Sequence, residues 1–136
     1  MRSIIYTDGG SRNNPGPSAL GVVIVDGKGK ILKEYSHYLG EATNNQAEYE
    51  AVIFALQKAK QLKYKNIELR IDSELIGRQL LGEYKIKDPD LQPLFIKAWN
   101  LRLDFEKVDI KIIPREQNKK ADKLVNRELD SRRKLF

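Results

Sequence analysis

Apolar and polar residues alternate over residues 3–8, where Ile4, Ile5 and Tyr6 are β-branched or aromatic, and this predicts a first strand. Residues 9–17 (Gly-Gly-Ser-Arg-Asn-Asn-Pro-Gly-Pro) are a dense cluster of turn formers and are read as a loop. A second strand is expected over 20–25, a hairpin turn over 26–30 and a third strand over 31–39. Thr43 and Gln46 then have the spacing of a capping box. Behind them Ala47, Ala51, Phe54, Ala55, Lys58 and Leu62 mark the stripe of a first helix. A fourth strand follows over 67–71, a short helix over 73–81 and a connector over 82–89. The last elements are a helix over 90–103, a fifth strand over 108–113 and a loop over 114–117. Asn118 is placed to cap a final helix whose apolar positions are Ala121, Leu124, Val125 and Leu129. Residues 127–136 are highly charged and are expected to fray.

The order β-β-β-α-β-α-α-β-α belongs to the α/β class. Two hairpins make three antiparallel strands, and strands separated by helices run parallel. A mixed five-stranded sheet with helices on both faces, forming one domain over residues 1–136, is the expected architecture.

Composition narrows the chemistry. Hydrophobic residues make up 40% and charged residues 32%, the balance of a soluble globular domain. With no Cys and one His, disulfides and thiolate metal sites are excluded. No apolar run approaches the roughly 20 residues of a membrane span. The N-terminus runs straight into a strand pattern, so a cytoplasmic protein is expected. A net charge of +6 favours a polyanionic partner such as nucleic acid, although a solvated Lys-rich surface has the same signature.

Four carboxylates are awkward for a purely structural account. Asp8 ends the first strand in phase with Ile4 and Tyr6, and Asp72 ends the fourth. Glu48 sits on or beside the apolar stripe of the first helix, and Asp122 lies in the first turn of the last. Each has a structural role open to it: Asp8 in a turn, Asp72 as a cap, Glu48 and Asp122 at helix N-termini. Together, two strand ends and two helix starts can converge at one sheet edge. Carboxylates crowded there raise one another's pKa, and a divalent cation removes that cost. Mg²⁺ takes hard oxygen ligands from few carboxylates, with water and phosphate completing its shell. Two such ions suit phosphodiester hydrolysis.

Residues 6–16, the Thr43-Asn44-Asn45-Gln46-Ala47-Glu48 helix start, Ile71-Asp72-Ser73 and Asn118-Lys119-Lys120-Ala121-Asp122 resemble, in order, four motifs of the type 1 ribonuclease H family. The resemblance spans nearly the whole chain. It implies an endonuclease that cuts the RNA strand of RNA–DNA hybrids and leaves 5′-phosphate and 3′-hydroxyl ends. It implies two Mg²⁺, replaceable by Mn²⁺, held by Asp8, Glu48, Asp72 and Asp122, of which Asp8, from the central strand, is the best candidate to bridge both. It also implies that Asn14, Asn44 and Asn45 read the RNA strand, Asn being able to donate to and accept from a 2′-hydroxyl. Thr43 matches a residue that seats a DNA phosphate, and Ser73 lies in the third motif beside the substrate.

The chain departs from the family in two places. Many members carry a His in the loop before the last helix; here the loop is Pro114-Arg115-Glu116-Gln117, so Arg115 or Glu116 would have to stand in for it. Some members insert a basic protrusion between the middle helices. Residues 82–89 are too short for that, although Lys85 and Lys87, beside Tyr84, can still reach the DNA strand. His37 is read as an ordinary strand residue and Trp99 as core. The alternatives left open are a catalytically weak hybrid-binding module and a related nuclease acting on double-stranded RNA. A monomer with no membrane partner is expected.

Overall fold

The computed structural model of the chain describes residues 2–133. Among these, the elements follow one another as β1 (Arg2–Ser11), β2 (Gly16–Val25), β3 (Ile31–Ala42), α1 (Asn44–Gln61), β4 (Asn66–Ile71), α2 (Glu74–Leu80), α3 (Gln92–Leu101), β5 (Lys107–Ile112) and α4 (Lys119–Arg133). The sheet order is β3-β2-β1-β4-β5, which puts β1 at the centre. β1 pairs antiparallel with β2 and parallel with β4, while β2–β3 is antiparallel and β4–β5 parallel. This is the mixed sheet that the element order predicts.

Side-chain alternation sorts the core into two layers. On one face Ile5, Val22, Ile24, Ile67 and Leu69 pack with α1, α2 and α3. On the other, Val23 and Val25 meet Ala121 and Leu124 of α4, with Ile4 and Tyr6 partly buried beside them. Ala19 joins Val125 and Leu129 of the same helix. β2 is thus covered on both sides, which accounts for its nearly unbroken apolar run. No helix among the described residues is long and apolar enough to cross a membrane.

Three expectations need correction. The first hairpin is longer than its turn formers suggest, because Gly9, Gly10 and Ser11 pair with Leu20, Ala19 and Ser18 instead of forming a loop. Gly9 is there for packing: a Cβ would stand 2.2 Å from the backbone carbon of Ala47. α3 is shorter than 90–103, beginning after a turn in which Asp88 Oδ1 accepts the Asp90 N–H and ending in a 3₁₀ turn at Arg102–Asp104. The charged C-terminal stretch is helical through Arg133, since Leu129 is buried and the Arg132 guanidinium lies 4.6 Å from the Tyr38 ring centroid. Residues 134–136 of the expected frayed tail lie outside the described residues.

Candidate active site

The parallel β1–β4 ladder pairs Thr7 with Ile71, so Asp8 and Asp72 are each the next residue out. Adjacent strands are about 4.8 Å apart, and the two carboxylates therefore emerge side by side at one edge of the sheet. α1 brings the third. Because Gly9 has no side chain, the helix backbone presses directly on β1, and the Gly9 N–H donates to Glu48 Oε1 at 3.1 Å. Carboxylate oxygens of Asp8, Glu48 and Asp72 consequently lie within 4.8 Å of one another.

α4 is seated by the same device from the opposite face. Gly21 is the ladder partner of Asp8 on β2, and a Cβ there would stand 2.4 Å from the Ala121 carbonyl oxygen. Asp122 follows Ala121. It is exposed, lies outside the three-oxygen cluster and lines the same cavity of about 480 Å³ as Asp8, Glu48 and Asp72.

Electrostatics set this cluster apart. Burial, followed by the charges of Asp72 and Asp122, pushes the Asp8 carboxyl up to about 7. Burial and the charge of Asp8 push Glu48 well above the usual carboxylate range. Glu48 Oε2 is buried with no N–H or hydroxyl to receive, so without a cation it can bond to its acidic neighbour only through a shared proton. An orphaned buried oxygen among hard carboxylate donors, in a cavity with room for water and phosphate, fits a divalent cation of the Mg²⁺ type.

The remaining sequence candidates divide between the cavity and its surroundings. Asn44, Asn45, Ser73 and Arg115 line it. Asn14 and Thr43 are not among its lining residues and instead build the start of α1. Asn14 Oδ1 accepts the Asn44 N–H at 2.9 Å, and Asn44 Oδ1 accepts the Ser11 N–H at 2.8 Å. Thr43 and Gln46 form the expected capping box at 3.1 and 2.8 Å. Ser73 caps α2 by accepting the Ile76 N–H at 3.2 Å. Lys85 and Lys87 are exposed on the connector and do not line the cavity. His37 stacks on Phe54; Trp99, expected in the core, is only half-buried, stacking on Phe95 at 5.5 Å with the Arg102 guanidinium 3.7 Å from its ring centroid.

Asn118 does not cap α4 with its side chain, contrary to expectation. Its Nδ2 donates to the Thr7 carbonyl and to Asp72 Oδ2, both at 2.8 Å, because two acceptors at the strand ends take both amide hydrogens. Arg12, Glu74 and Asn126, which the sequence did not single out, also line the cavity. Arg12 pairs with Asp130 at 2.9 Å, and Asn126 Nδ2 donates to Asp122 Oδ2 at 3.3 Å. The spacing of Asn126 four residues after Asp122 was the one available signal for these three.

Residues 6–128 match the family described as reverse transcriptase-like. The chain is 46% identical over 125 residues to a ribonuclease HI of Halobacterium salinarum, covering 92% of this chain and 63% of that protein. The structure of RNase H1 from that archaeon superposes with a TM-score of 0.94 at 45% identity, covering 96% of this chain and 99% of the other. The structure of LC11-RNase H1 in complex with an RNA/DNA hybrid is also similar, with a TM-score of 0.87 at 48% identity over 92% of this chain and 94% of that one. A bifunctional protein of Mycobacterium tuberculosis is 37% identical over 132 residues, 96% of this chain and 36% of its own length. The chain thus spans less than two thirds of the length of each of these two curated relatives. On fold, sequence and element order together, it belongs to the type 1 ribonuclease H family.

Proposed function

We propose that the domain is a ribonuclease H that hydrolyses the RNA strand of RNA–DNA hybrids with divalent metal ions. The observation that carries this is the trio of buried Asp8 and Glu48 with half-buried Asp72, whose carboxylate oxygens lie within 4.8 Å of one another with no Lys or Arg among the described residues paired to them. Support comes from the family and from the hybrid complex of a relative of 48% identity.

Asp8, Glu48 and Asp72 would hold the ions, with Asp122 completing the ligand set from the exposed rim. When bound, two Mg²⁺, or Mn²⁺ in their place, would supply an ionised water near neutral pH and charge stabilisation for the leaving oxygen. Asp8, on the central strand and beside both Glu48 and Asp72, would be the carboxylate best suited to serve both ions. Asn44 and Asn45, on the cavity wall, offer amides of both polarities to a ribose 2′-hydroxyl. Arg115, on the cavity wall in the loop where other members have a His, would supply a permanent cation to the substrate backbone, and Arg12 from the first hairpin would add a second. Asn14 and Thr43 keep the α1 start rigid, and through it the Asn pair. Lys85 and Lys87 would make only peripheral contacts with the DNA strand. Products would carry 5′-phosphate and 3′-hydroxyl ends. Since every residue invoked comes from one chain, the domain would act as a monomer.

The test is cleavage of labelled RNA–DNA, RNA–RNA and DNA–DNA duplexes with and without Mg²⁺. Metal-dependent cutting of the RNA strand of the hybrid alone is expected. Tight hybrid binding with no cutting in either Mg²⁺ or Mn²⁺ would reduce the domain to a binding module. Equal cutting of double-stranded RNA would change the substrate.

A further inference from the structure

We infer that Asn118 is a positioning residue, whose neutral amide aims Asp72 at a divalent cation and registers α4 on the strand ends that carry the cluster. This rests on the metal-site assignment above. The side chain is 1% exposed and spends both amide hydrogens on the site: one on Asp72 Oδ2, one on the carbonyl of Thr7, the residue before Asp8. The main-chain carbonyl of Asn118 accepts the Asp122 N–H at 3.1 Å, the first-turn bond of α4. One residue thus bonds directly to Asp72 and to Asp122 and to the peptide that leads into Asp8.

The choice of amide has a physical reason. The Thr7 carbonyl can only accept, so the NH₂ end must face it, and Asp72 then receives the second hydrogen. That bond holds one Asp72 oxygen and leaves the other for a cation. A Lys or Arg in the same place would fix the carboxylate equally well but would neutralise it, and the cluster would lose attraction for metal. Asn118 Oδ1 is meanwhile buried with no partner. A side chain kept for stability alone would not leave a buried acceptor unpaired, whereas one kept for its two donors can. Of the three clustered carboxylates, Asp72 is the one held by a side-chain amide among the described residues, while Glu48 is held by a backbone N–H.

The experiment measures Mn²⁺ binding to metal-free protein by electron paramagnetic resonance, together with hybrid cleavage and circular dichroism. The proteins are the native chain, Asn118→Ala, Asn118→Asp, Asp72→Asn and the Asp72→Asn/Asn118→Ala double variant. Loss of a hydrogen bond that orients a ligand should weaken Mn²⁺ binding about tenfold in folded Asn118→Ala. kcat should fall with KM for the hybrid held within about twofold, because no substrate contact is removed. In the Asp72→Asn background the same change should weaken Mn²⁺ binding no further. Asn118→Asp keeps the shape and removes the donors, so it should bind Mn²⁺ no better than Asn118→Ala. Native-like Mn²⁺ binding by Asn118→Ala overturns the inference, as does a loss that multiplies with that of Asp72→Asn. Failure of both Asn118 variants to give the native dichroism spectrum also overturns it, by making the residue a general prop of the fold. A native chain that neither binds Mn²⁺ nor cuts the hybrid would instead defeat the metal-site assignment itself.

Discussion

Two groups of buried carboxylates lie on the same sheet and are handled in opposite ways. Glu68, four residues before Asp72 on β4, is 5% exposed, yet it is surrounded by the chain's own cations. Arg70 Nε lies 2.6 Å from its Oε2, and Arg2 and Lys111 stand 3.2 and 3.3 Å from its Oε1. Burial alone would raise its pKa, but Arg70 and Lys111 outweigh that and hold it below the usual range. Beside the end of that strand, Asp8 on β1 and Glu48 on α1 are likewise buried, face other acids, and are pushed up. The Glu68 group is electrostatically finished and carries structure. The Asp8 group is finished only when protons or an external cation arrive, which is the state the proposed metal site calls for.

The largest effect is expected where the two helices are seated. Gly9→Ala would force a methyl against the α1 backbone at 2.2 Å, which has no side chain to swing away. A loss of about 3 kcal/mol in denaturant unfolding is expected, together with loss of the cluster's metal response. Gly10→Ala, whose Cβ would meet only the Val125 side chain at 3.5 Å, should cost less than about 1 kcal/mol.

The two carboxylate groups should next separate by sign. In metal-free protein near pH 8, Asp8→Asn removes a repelled buried charge and should raise stability by roughly 1–3 kcal/mol. Glu68→Gln leaves Arg2, Arg70 and Lys111 without their common partner and should lower it by roughly 1–3 kcal/mol. Thermal melts of the two variants in a chelating buffer read both. Melting shifts of the same sign would erase the distinction between the groups.

The pH dependence follows from the same contrast. Asp8 and Glu48 have folded pKa values above their unfolded ones, so the native state holds protons that the unfolded chain has already released. Their contribution to stability therefore falls as pH rises from the ordinary carboxylate range toward about 7. Glu68, lowered on folding, contributes stability that is present above the ordinary range and lost as pH falls through it. Chelated native protein should lose stability between about pH 4 and 7 relative to Asp8→Asn. Added Mg²⁺ should raise the melting temperature more at pH 8 than at pH 5, since protons compete with the ion. The smallest effect expected is at the rim, where Arg115→Ala should raise KM for the hybrid a few-fold and reduce the salt slope of binding by about 1.

The carboxylates were legible in the sequence because each stands near a change of element: Asp8 reads as the end of the first strand, which in fact runs on to Ser11, Asp72 follows β4, and Glu48 and Asp122 lie near the starts of α1 and α4. Strand phase and the helical stripe were enough to place Asp8, Asp72 and Glu48, and the structure gathers those three. The two close approaches that make the gathering possible were not legible. Gly9 stands in a run of turn formers and reads as punctuation, while Gly21 stands within an apolar strand; the need for glycine at each arises from a helix distant in sequence. Asn118 was misread for a related reason. At a helix start an Asn defaults to capping, and only the tertiary position of Thr7 and Asp72 shows that its hydrogens are used elsewhere. The expected fraying from residue 127 gave way to Leu129, already read as an apolar position of the last helix, whose partners Ala19 and Val125 bury it in a small cluster of their own.

The central claim is that the unneutralised acidic cluster, and no other acidic group on the sheet, is the metal-dependent catalytic centre. Its most direct test is cleavage of a labelled RNA–DNA hybrid in Mg²⁺ by the native chain, Asp8→Asn and Glu68→Gln, each shown to be folded at the assay temperature. Loss of several kcal/mol of transition-state stabilisation should slow Asp8→Asn by roughly a thousandfold or more. Glu68→Gln should stay within about threefold of native, because surface and scaffold changes away from a site rarely move it further. Undiminished cleavage by Asp8→Asn would contradict the account.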